Sequence, residues 1–537
     1  MKPWSSDFAD SPATLKNVRP REKRPRLLSD EIYLPPAPYD PHHGSARILL
    51  VYPNTYHVGM SNLGFLYLYR LMNENPGLAV ERAFFEDGLS RRSFETASDV
   101  GKFDAILFTL PFEMDALNIV RFLLENGIPP AMADRAGGRW PLIGVGGAAP
   151  TLNPRFLLPF CDFVFAGDVE PAFDRLVSAL AGIRAGSPET FMQEIETLPG
   201  VVTSRIAESG RRVRKPEITA PRGCFNTVAT PNTEFARSLL VEIERGCPFK
   251  CRFCTVGYER KKIVELPPDR IGELVRQAET HGLRFGMVGS ALLSARIWKT
   301  DRQVWDESAV DFSFASLRAD KLNAQNLKSL AKFQRSITLA PEVGTMRMMK
   351  LINKRMNLDA ARERLSMARA EGVRQVKLYF IYGFPFELDA DVEGIVDFCA
   401  SAVRTGLRVR ASLNPFIPKP QTPLQWFPMQ PLRSLKAKFR FLQSRLRAAG
   451  VRDVSGYSPR EAVLQAFLMF AGESAAPDIL AMAQGAGPAV DRLDRACALK
   501  SADENFPWDI LETTIPRSEL WREACEIGFH PPLKRGD

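Results

Sequence analysis

Short apolar runs alternate with amphipathic segments from Arg47 to about residue 200. The amphipathic segments include SNLGFLYLYRLMNE and MDALNIVRFLLENG. The apolar runs, which are typical of buried strands, are RILLVYP (47–53), LAVERAFFED (78–87), FDAILFTL (103–110), PLIGVGG (141–147) and DFVFAGD (162–168). Strands that alternate with helices indicate parallel βαβ units with right-handed crossovers. We therefore predict a doubly wound, Rossmann-like α/β domain at residues 46–200.

Small or polar residues follow several of these strands. Ligands of parallel α/β sheets bind at the carboxyl ends of the strands, and small side chains there leave room for a bulky ligand. The candidate binding residues are Asn54, Thr55, Thr109, Gly146, Gly147, Gly167, Asp168 and Glu170. We expect these residues to line a ligand site.

A second alternating series begins after a less regular linker at residues 201–235. Helical stretches such as PPDRIGELVRQAETHG separate its strands. The candidate strands are LLVEIERG (239–246), FGMVGS (285–290), DFSFASLR (311–318), SITLAPE (336–342), QVKLYFIYG (375–383) and RVRASLNPF (408–416). Six βα repeats predict a partial (β/α)6 barrel at residues 236–430, with chemistry at the carboxyl ends of its strands.

The two ends of the chain differ from this pattern. Residues 1–45 are polar and proline-rich and contain the basic run RPREKRPR, which indicates a mobile basic arm. Residues 431–537 are mainly helical, and PLRSLKAKFRFLQSRLRAAG carries six Lys or Arg and no acid. Its apolar residues, which share one helical face, are Leu432, Leu435, Phe439, Leu442 and Leu446. The basic face is either solvated or a docking surface for an acidic macromolecule.

Composition narrows the class of protein. The 537 residues are 45% hydrophobic and 25% charged, which is typical of a globular protein with two or three domains. The net charge of +9 fits an acidic or phosphorylated partner. No apolar run approaches the roughly 18 residues of a membrane span, and the N-terminal stretch lacks the apolar region of a secretory signal. Eight cysteines form no disulfide framework, which predicts a reducing, cytoplasmic location. Five scattered histidines argue against a His-rich metal site.

Three of the cysteines are crowded into ERGCPFKCRFC. Cys247, Cys251 and Cys254 lie within eight residues, directly after the first strand of the second series. Thiolates bind iron and zinc, and structural tetrahedral sites usually have four ligands. A cluster held by three thiolates leaves one iron open, as catalysis requires. Two alternatives remain: a structural zinc site completed by Cys224, and free thiols.

The cysteine loop resembles the cluster motif of radical S-adenosylmethionine (SAM) enzymes, including the aromatic residue before the last cysteine. The resemblance implies a [4Fe-4S] cluster on Cys247, Cys251 and Cys254, whose open iron binds the amino and carboxylate groups of SAM. An electron from the cluster would cleave SAM to methionine and a 5′-deoxyadenosyl radical, which takes hydrogen from a substrate. A reductant such as flavodoxin or ferredoxin is then an expected partner.

The resemblance covers about residues 46–530. Further stretches, among them VYPNTYHVGMSNLGF, SFASLRADKL, VKLYFIYGFPFE and SLNPFIPKPQTPLQW, resemble a YgiQ-like branch of B12-binding-domain radical SAM proteins. The first α/β domain is then cobalamin-binding-like, and its ligand residues are those at the strand ends named above. Many such domains carry Asp-x-His-x-x-Gly with a cobalt-binding histidine, but FFEDGLSRRSF has no histidine. We expect cobalamin without a lower histidine ligand, with His57 as the alternative ligand.

The resemblance also implies SAM contacts on the barrel. The matching residues are Gly289, Ser290, Ser316, Arg318, Glu342, Gly383 and Phe384. The second strand of such barrels usually ends in a Gly-Gly-Glu-type motif that holds the SAM amino group, whereas MVGSALL contains no acid. Each contact has a structural alternative: Arg318 in an ion pair, for example, or Glu342 in a helix cap.

Together these features predict a cobalamin-dependent radical SAM C-methyltransferase whose substrate the sequence does not identify. The cofactors would carry the chemistry, and the protein would supply placement and exclusion of water. One alternative is a radical SAM enzyme without methyl transfer, which catalyses a rearrangement, a cyclisation or a sulfur insertion. The other is an RNA- or ribosome-binding protein with a structural cluster, which the basic arm and the Leu432 helix favour.

Overall fold

The computed structural model of the chain describes residues 24–35, 44–138, 140–260, 262–300, 308–314 and 316–528. These residues form two compact units. The first unit contains the chain up to Leu240 together with Leu468–Asp494 and Asn505–Thr513. The second unit contains Val241–Phe467, Arg495–Glu504 and the described residues from Thr514 onward.

The first unit is built from alternating strands and helices. Its described strands up to residue 240 are β1 (Ile32–Tyr33), β2 (Ala46–Tyr52), β3 (Leu78–Phe84), β4 (Ala105–Thr109), β5 (Leu142–Gly146), β6 (Phe163–Phe165), β7 (Val201–Val202), β8 (Val213–Arg214) and β9 (Val228–Ala229). Its helices in the same stretch are α1 (Arg24–Ser29), α2 (Tyr56–Gly59), α3 (Leu63–Asn73), α4 (Ala116–Glu125), α5 (Ala148–Leu152), α6 (Phe173–Ala181), α7 (Pro188–Ile195) and α8 (Ser204–Glu208). The five strands predicted in this region are therefore confirmed.

A six-stranded sheet forms the centre of the first unit, in the order β3-β2-β4-β5-β6-β7. The first five strands pair in parallel, and β7 is antiparallel to β6. All seven residues of β3 are buried, and because successive side chains point to opposite faces, both faces are covered there. The strand order reverses between β2 and β4, and the carboxyl ends at such a reversal form a ligand crevice.

The predicted mobile arm is folded where the structure describes it. Residues 24–35 contain α1 and β1, and β1 pairs with β9. The reason is electrostatic: Arg82 on β3 is fully buried and bonds to Glu31 at 2.7 Å and to Glu95 at 2.6 Å. A buried guanidinium requires carboxylate partners, so the ion pair between Glu31 and Arg82 holds residues 24–35 against the sheet. The prediction of a mobile arm is wrong for these residues; most of RPREKRPR lies outside the described residues.

The second βα series lies in the second unit, except that its first strand begins at Ser238 in the first unit. Its described strands are β10 (Ser238–Glu242), β11 (Glu244–Arg245), β12 (Val264–Glu265), β13 (Arg284–Val288), β14 (Phe312–Phe314), β15 (Ser336–Glu342), β16 (Gln375–Tyr382), β17 (Arg408–Pro415) and β18 (Asp453–Gly456). Its helices are α9 (Val256–Glu259), α10 (Pro268–Thr280), α11 (Ile297–Thr300), α12 (Ala324–Phe333), α13 (Met346–Leu351), α14 (Leu358–Ala370), α15 (Asp389–Arg404), α16 (Leu432–Ala448) and α17 (Pro459–Phe470). All six predicted strands are present.

The strands of this series form two sheets. One has the order β10-β13-β14 and the other the order β15-β16-β17-β18. A parallel bridge between Leu317 and Leu339 links the segment after β14 to β15. The described residues form no closed barrel, and β18 adds a parallel strand that the sequence pattern did not predict.

The two units share the region predicted as a helical C-terminal part. It contains α16 and α17 and continues with α18 (Ala476–Ala483), α19 (Val490–Cys497), β19 (Leu511–Glu512) and α20 (Arg517–Cys525). Helix α18 belongs to the first unit, as does β19, which pairs with β8. No described helix is long and apolar enough to cross a bilayer.

Helix α16 packs with the apolar face that its sequence predicts. Four of its leucines, including Leu435 and Leu442, are buried. Its basic face is partly neutralised inside the second unit, because Lys438 lies 2.6 Å from Glu387 and Arg445 lies 3.4 Å from Glu393. These contacts favour the interpretation of a packed helix with a solvated basic face.

Candidate functional site

The cysteine loop lies where the sequence pattern places it, between β11 and α9. Cys251 is buried, whereas Cys247 and Cys254 are partly exposed, and the Cys254 amide donates to the Cys251 carbonyl at 3.0 Å. Burial raises the pKa of all three thiols, that of Cys254 to about 12. The charges of Cys251 and Cys247 add to the rise at Cys254, so the three sulfurs lie within electrostatic range of one another.

Two cations lie close to these thiols. The side chains of Lys354 and Arg318 lower the pKa of both Cys247 and Cys251, in opposition to burial. Positive charge stabilises thiolates, which are the form that binds iron. No three His, Cys, Asp or Glu side chains in the described part of the chain are already arranged around a metal position. The donor set of three thiols with adjacent cations nevertheless fits an anionic iron–sulfur cluster.

The segment after α13 holds the backbone of the cysteine loop. The Arg252 amide donates to the Ile352 carbonyl at 2.9 Å, and the Arg252 guanidinium donates to the Leu351 carbonyl at 3.0 Å. The Asn353 side chain donates to the Lys250 carbonyl at 2.7 Å. Because the backbone groups of the loop are paired in this way, the loop has a defined path between its cysteines.

Helix α20, at the far end of the sequence, also holds the cysteine loop. Its Glu519 carboxylate lies 3.2 Å from the Lys250 ammonium, and Glu523 accepts a 2.8 Å hydrogen bond from the Tyr258 hydroxyl. Glu523 also lies 3.7 Å from Arg252, which pairs with Glu526 as well. The sequence pattern did not single out these residues, although Glu519 and Glu523 on α20 and Glu526 directly after it are spaced by four and three positions, which places them on one stripe.

The predicted SAM residues Arg318 and Glu342 lie at the cysteine loop. The Arg318 guanidinium stacks 3.7 Å from the ring centre of Phe249, within the loop, and pairs with Asp320 at 3.0 Å. Glu342 pairs with Lys354 at 2.8 Å and has a left-handed backbone with φ of 68°. Its charge also acts on Cys251 and Cys254. A strained residue beside the thiols is typical of a functional position.

The other predicted SAM residues have varied surroundings. Ser316 is exposed after β14. Gly383 has φ of 83°, and a Cβ atom there would lie 2.4 Å from Leu435 on α16, so packing explains this glycine. Phe384 is fully buried and stacks on Phe416 with 4.7 Å between ring centres. The structure thus places Phe384 in an aromatic core. Their roles as SAM contacts stay predictions.

Gly289 and Ser290 lie beside an acid from another strand. The Glu244 carboxylate accepts hydrogen bonds from the amides of Ser290 and Ala291. A Cβ atom on Gly289 would lie 2.8 Å from the Glu244 Cγ, so glycine leaves the space that this side chain fills. MVGSALL contains no acid, but the structure places the Glu244 carboxylate at its Gly289, Ser290 and Ala291, which no local sequence pattern indicated.

In the first unit, two of the predicted cobalamin residues have unfilled surroundings. Thr109 ends β4 at the reversal of strand order, and its buried Oγ1 has no hydrogen-bond partner among the described residues. Gly146 ends the neighbouring β5, and a Cβ atom there would find nothing closer than 3.8 Å. A buried hydroxyl without a partner is costly, so this edge fits a polar ligand such as cobalamin.

The remaining first-unit candidates already have local roles. Asn54 donates to Asp115 at 2.8 Å, and Thr55 caps α2. Asp168 accepts from the Ile218 amide at 2.9 Å. Gly147 and Gly167 have positive φ and lie tightly against Leu110 and Pro216, and Glu170 is buried before α6. His57 lies half exposed, with Nδ1 3.2 Å from the Asn232 carbonyl.

Comparison with known proteins identifies two domains. The Radical SAM superfamily pattern matches residues 241–399, and the pattern "Radical SAM proteins, N-terminal" matches residues 64–203. The chain carries the domains of a radical SAM enzyme. A radical SAM domain implies a [4Fe-4S] cluster and SAM as cofactors, and a substrate and a reductant as partners. The YgiQ-like branch stays a prediction.

Similar proteins are distant. An uncharacterized protein of Methanocaldococcus jannaschii is 25% identical over 417 residues, which is 76% of this chain and 84% of that protein. The radical SAM methyltransferase TsrM of Kitasatospora setae, with cobalamin and a [4Fe-4S] cluster bound, has a TM-score of 0.48 at 12% identity, over 71% of this chain and 74% of that one. The cobalamin-dependent radical SAM enzyme OxsB, with aqua-cobalamin bound, has a TM-score of 0.44 at 15% identity, over 66% and 52%.

Proposed function

We propose that this radical SAM enzyme is a cobalamin-dependent C-methyltransferase. One observation carries the proposal beyond radical SAM chemistry: the buried Thr109 hydroxyl has no partner among the described residues, at the sheet edge where the strand order reverses. Gly146 ends the neighbouring strand β5, and there is open space where a side chain would lie. An edge with an unsatisfied donor and free space calls for a ligand.

In this proposal, residues of the chain would have the following roles in binding the cofactors. Cys247, Cys251 and Cys254 would hold the cluster, while Lys354 and Arg318 would offset its negative charge. Thr109 and Gly146 would hold cobalamin on the first unit. When bound, these cofactors supply radical chemistry and a transferable methyl group, and the protein supplies placement.

The first test is the cofactor content of anaerobically purified protein, expressed with iron and hydroxocobalamin and then gel-filtered. We expect iron–sulfur absorbance together with about one corrinoid per chain in the ultraviolet–visible spectrum. Thr109→Val keeps the shape but removes the hydroxyl, so we expect corrinoid affinity to fall about 2- to 10-fold with iron content unchanged. Thr190→Val, on the exposed helix α7, is the matched control.

Each alternative has its own outcome in this test. Iron–sulfur absorbance without corrinoid contradicts methyl transfer and favours a radical SAM reaction of the rearrangement or cyclisation type. Salt-dependent RNA binding without reductive cleavage of SAM contradicts the enzyme proposal altogether and favours the RNA-binding alternative.

A further inference from the structure

Glu244 is a buried acid directly before the cysteine loop. Its side chain is 3% exposed, and it lies on β11, three residues before Cys247. The amides of Ser290 and Ala291, just after β13, donate to its carboxylate. These two bonds tie the carboxyl end of the second strand to the start of the loop.

The acids around Glu244 have cationic partners, whereas Glu244 has no ion-pair partner within the described ranges. Glu242 lies 2.7 Å from Arg245, and Glu265 lies 3.3 Å from Arg296. Glu342, whose charge acts on Cys251 and Cys254, lies 2.8 Å from Lys354. A buried carboxylate without a cation is costly, so a further hydrogen-bond donor would stabilise it.

The position of Glu244 limits what that donor is. Its charge raises the pKa of the Cys247 thiol, so the carboxylate lies within electrostatic range of the first of the three cluster ligands. Two backbone amides satisfy only part of the acceptor capacity of a carboxylate, which has about four lone-pair sites. Gly289 leaves the space for the side chain, because a Cβ atom there would lie 3.3 Å from Glu244 Oε1. Gly289 and the two amides thus hold a buried carboxylate three residues before Cys247.

We propose that Glu244 binds the α-amino group of SAM. That group carries N–H donors, and radical SAM chemistry requires it beside the cluster that Cys247 helps to hold. The carboxylate comes from the strand before the cysteine loop, and it stands in for an acid that the end of the second strand does not have. This inference rests on the radical SAM function and is independent of cobalamin and of methyl transfer.

The test is a binding comparison between two ligands. Equilibrium dialysis of the reconstituted, unreduced holoprotein would give the Kd of SAM and of desamino-SAM, in which hydrogen replaces the α-amino group. For Glu244→Gln we expect the Kd of SAM to rise about 10- to 100-fold, because hydrogen bonds to charged groups are the stronger ones. The Kd of desamino-SAM should change less than about 3-fold, since that ligand lacks the group that Glu244 binds.

Glu265→Gln is the matched control. Glu265 is the cross-strand partner of Glu244 and is paired with Arg296. Its removal lowers the local negative charge by the same amount, and because the charge of Glu265 raises the pKa of Glu244, we expect neither Kd to rise. A second variant, Gly289→Ala, keeps all the chemical groups but displaces the Glu244 carboxylate. Gly289→Ala should raise the Kd of SAM but not that of desamino-SAM. If the Glu244→Gln protein does not retain its cluster, Gly289→Ala is the variant that tests the inference.

The outcomes are distinct. Equal losses for SAM and desamino-SAM would show that Glu244 acts only through the backbone of residues 290–291, and would overturn the inference. An unchanged Kd of SAM in both variants would also overturn it. Failure of the wild-type holoprotein to bind SAM would instead remove the radical SAM function itself, together with this inference.

Discussion

At the scale of one residue, Asp115 shows how burial in the first unit changes the protonation of a carboxyl group. Burial raises its pKa from 3.8 to about 6, the bond from Asn54 opposes the rise, and Glu113 adds to it. Between these pH values the folded protein keeps a proton that the unfolded chain has released. The free energy of unfolding therefore falls as pH rises through this window.

Asp115→Asn should remove that pH dependence while it keeps an acceptor for Asn54. We expect the variant to exceed wild type by about 1–3 kcal/mol in free energy of unfolding at pH 7.5, and the difference to shrink toward zero near pH 4. Denaturant unfolding of the cluster-free protein, followed by circular dichroism at several pH values, measures this. Asp174→Asn, at an exposed position on α6, is the control. A difference that is constant with pH would contradict the prediction.

At the scale of elements, the contacts between α20 and the cysteine loop show how a helix that is distant in sequence holds the loop in place. Glu523 joins the helix to the loop region through the Tyr258 hydroxyl and the Arg252 guanidinium. A structured loop holds its thiols near one another before the cluster is assembled. The helix therefore helps to hold the cysteine loop in place, although it lies more than 260 residues away in sequence.

Glu523→Gln should loosen the cysteine loop without unfolding the unit. We expect amide hydrogen exchange in residues 247–258 to become about 10-fold faster, which corresponds to a loss of about 1.4 kcal/mol in local stability. The half-life of the bound cluster during chelation should shorten in parallel. Arg522→Gln, on the exposed side of the same helix, is the control. Unchanged exchange in the loop would contradict the role given to the helix.

At the scale of the whole molecule, the first unit is completed by distant segments of the chain. The Asn153 side chain donates to the carbonyls of Met469 at 2.9 Å and Ala471 at 2.8 Å. Arg121 on α4 donates to the Ala483 carbonyl at 2.7 Å. These buried or partly buried donors would lose their partners in a chain that ends before residue 468.

A chain truncated after residue 467 should therefore have an unstable first unit. We expect limited proteolysis to cut residues 46–240 at least 10-fold faster than in the full chain, because unsatisfied donors and exposed apolar surface favour local opening. A chain ending at residue 528 is the control and should resist proteolysis like the full chain. Equal resistance of the shorter chain would show that the unit folds without its distant segments.

The sequence by itself determined the longer strands, several of the longer amphipathic helices and the place of the cysteine loop. Hydrophobic periodicity is a local property, so it predicted all five strands of the first series and all six of the second. The spacing of Cys247, Cys251 and Cys254 is local as well. For the same reason a two-residue strand such as β19, or the edge strand β18, left too weak a pattern to predict.

Only the tertiary structure decided which charges meet. Glu244 reaches the amides after β13, Glu523 reaches Tyr258, and Glu31 reaches the buried Arg82, over separations of 47, 265 and 51 residues. Nothing in a local pattern distinguishes these acids from solvated ones, because each partner is brought close only by the chain topology. The strand ends seen in the sequence predicted where the candidate ligand residues lie. Only the tertiary packing decided which charged residues contact one another.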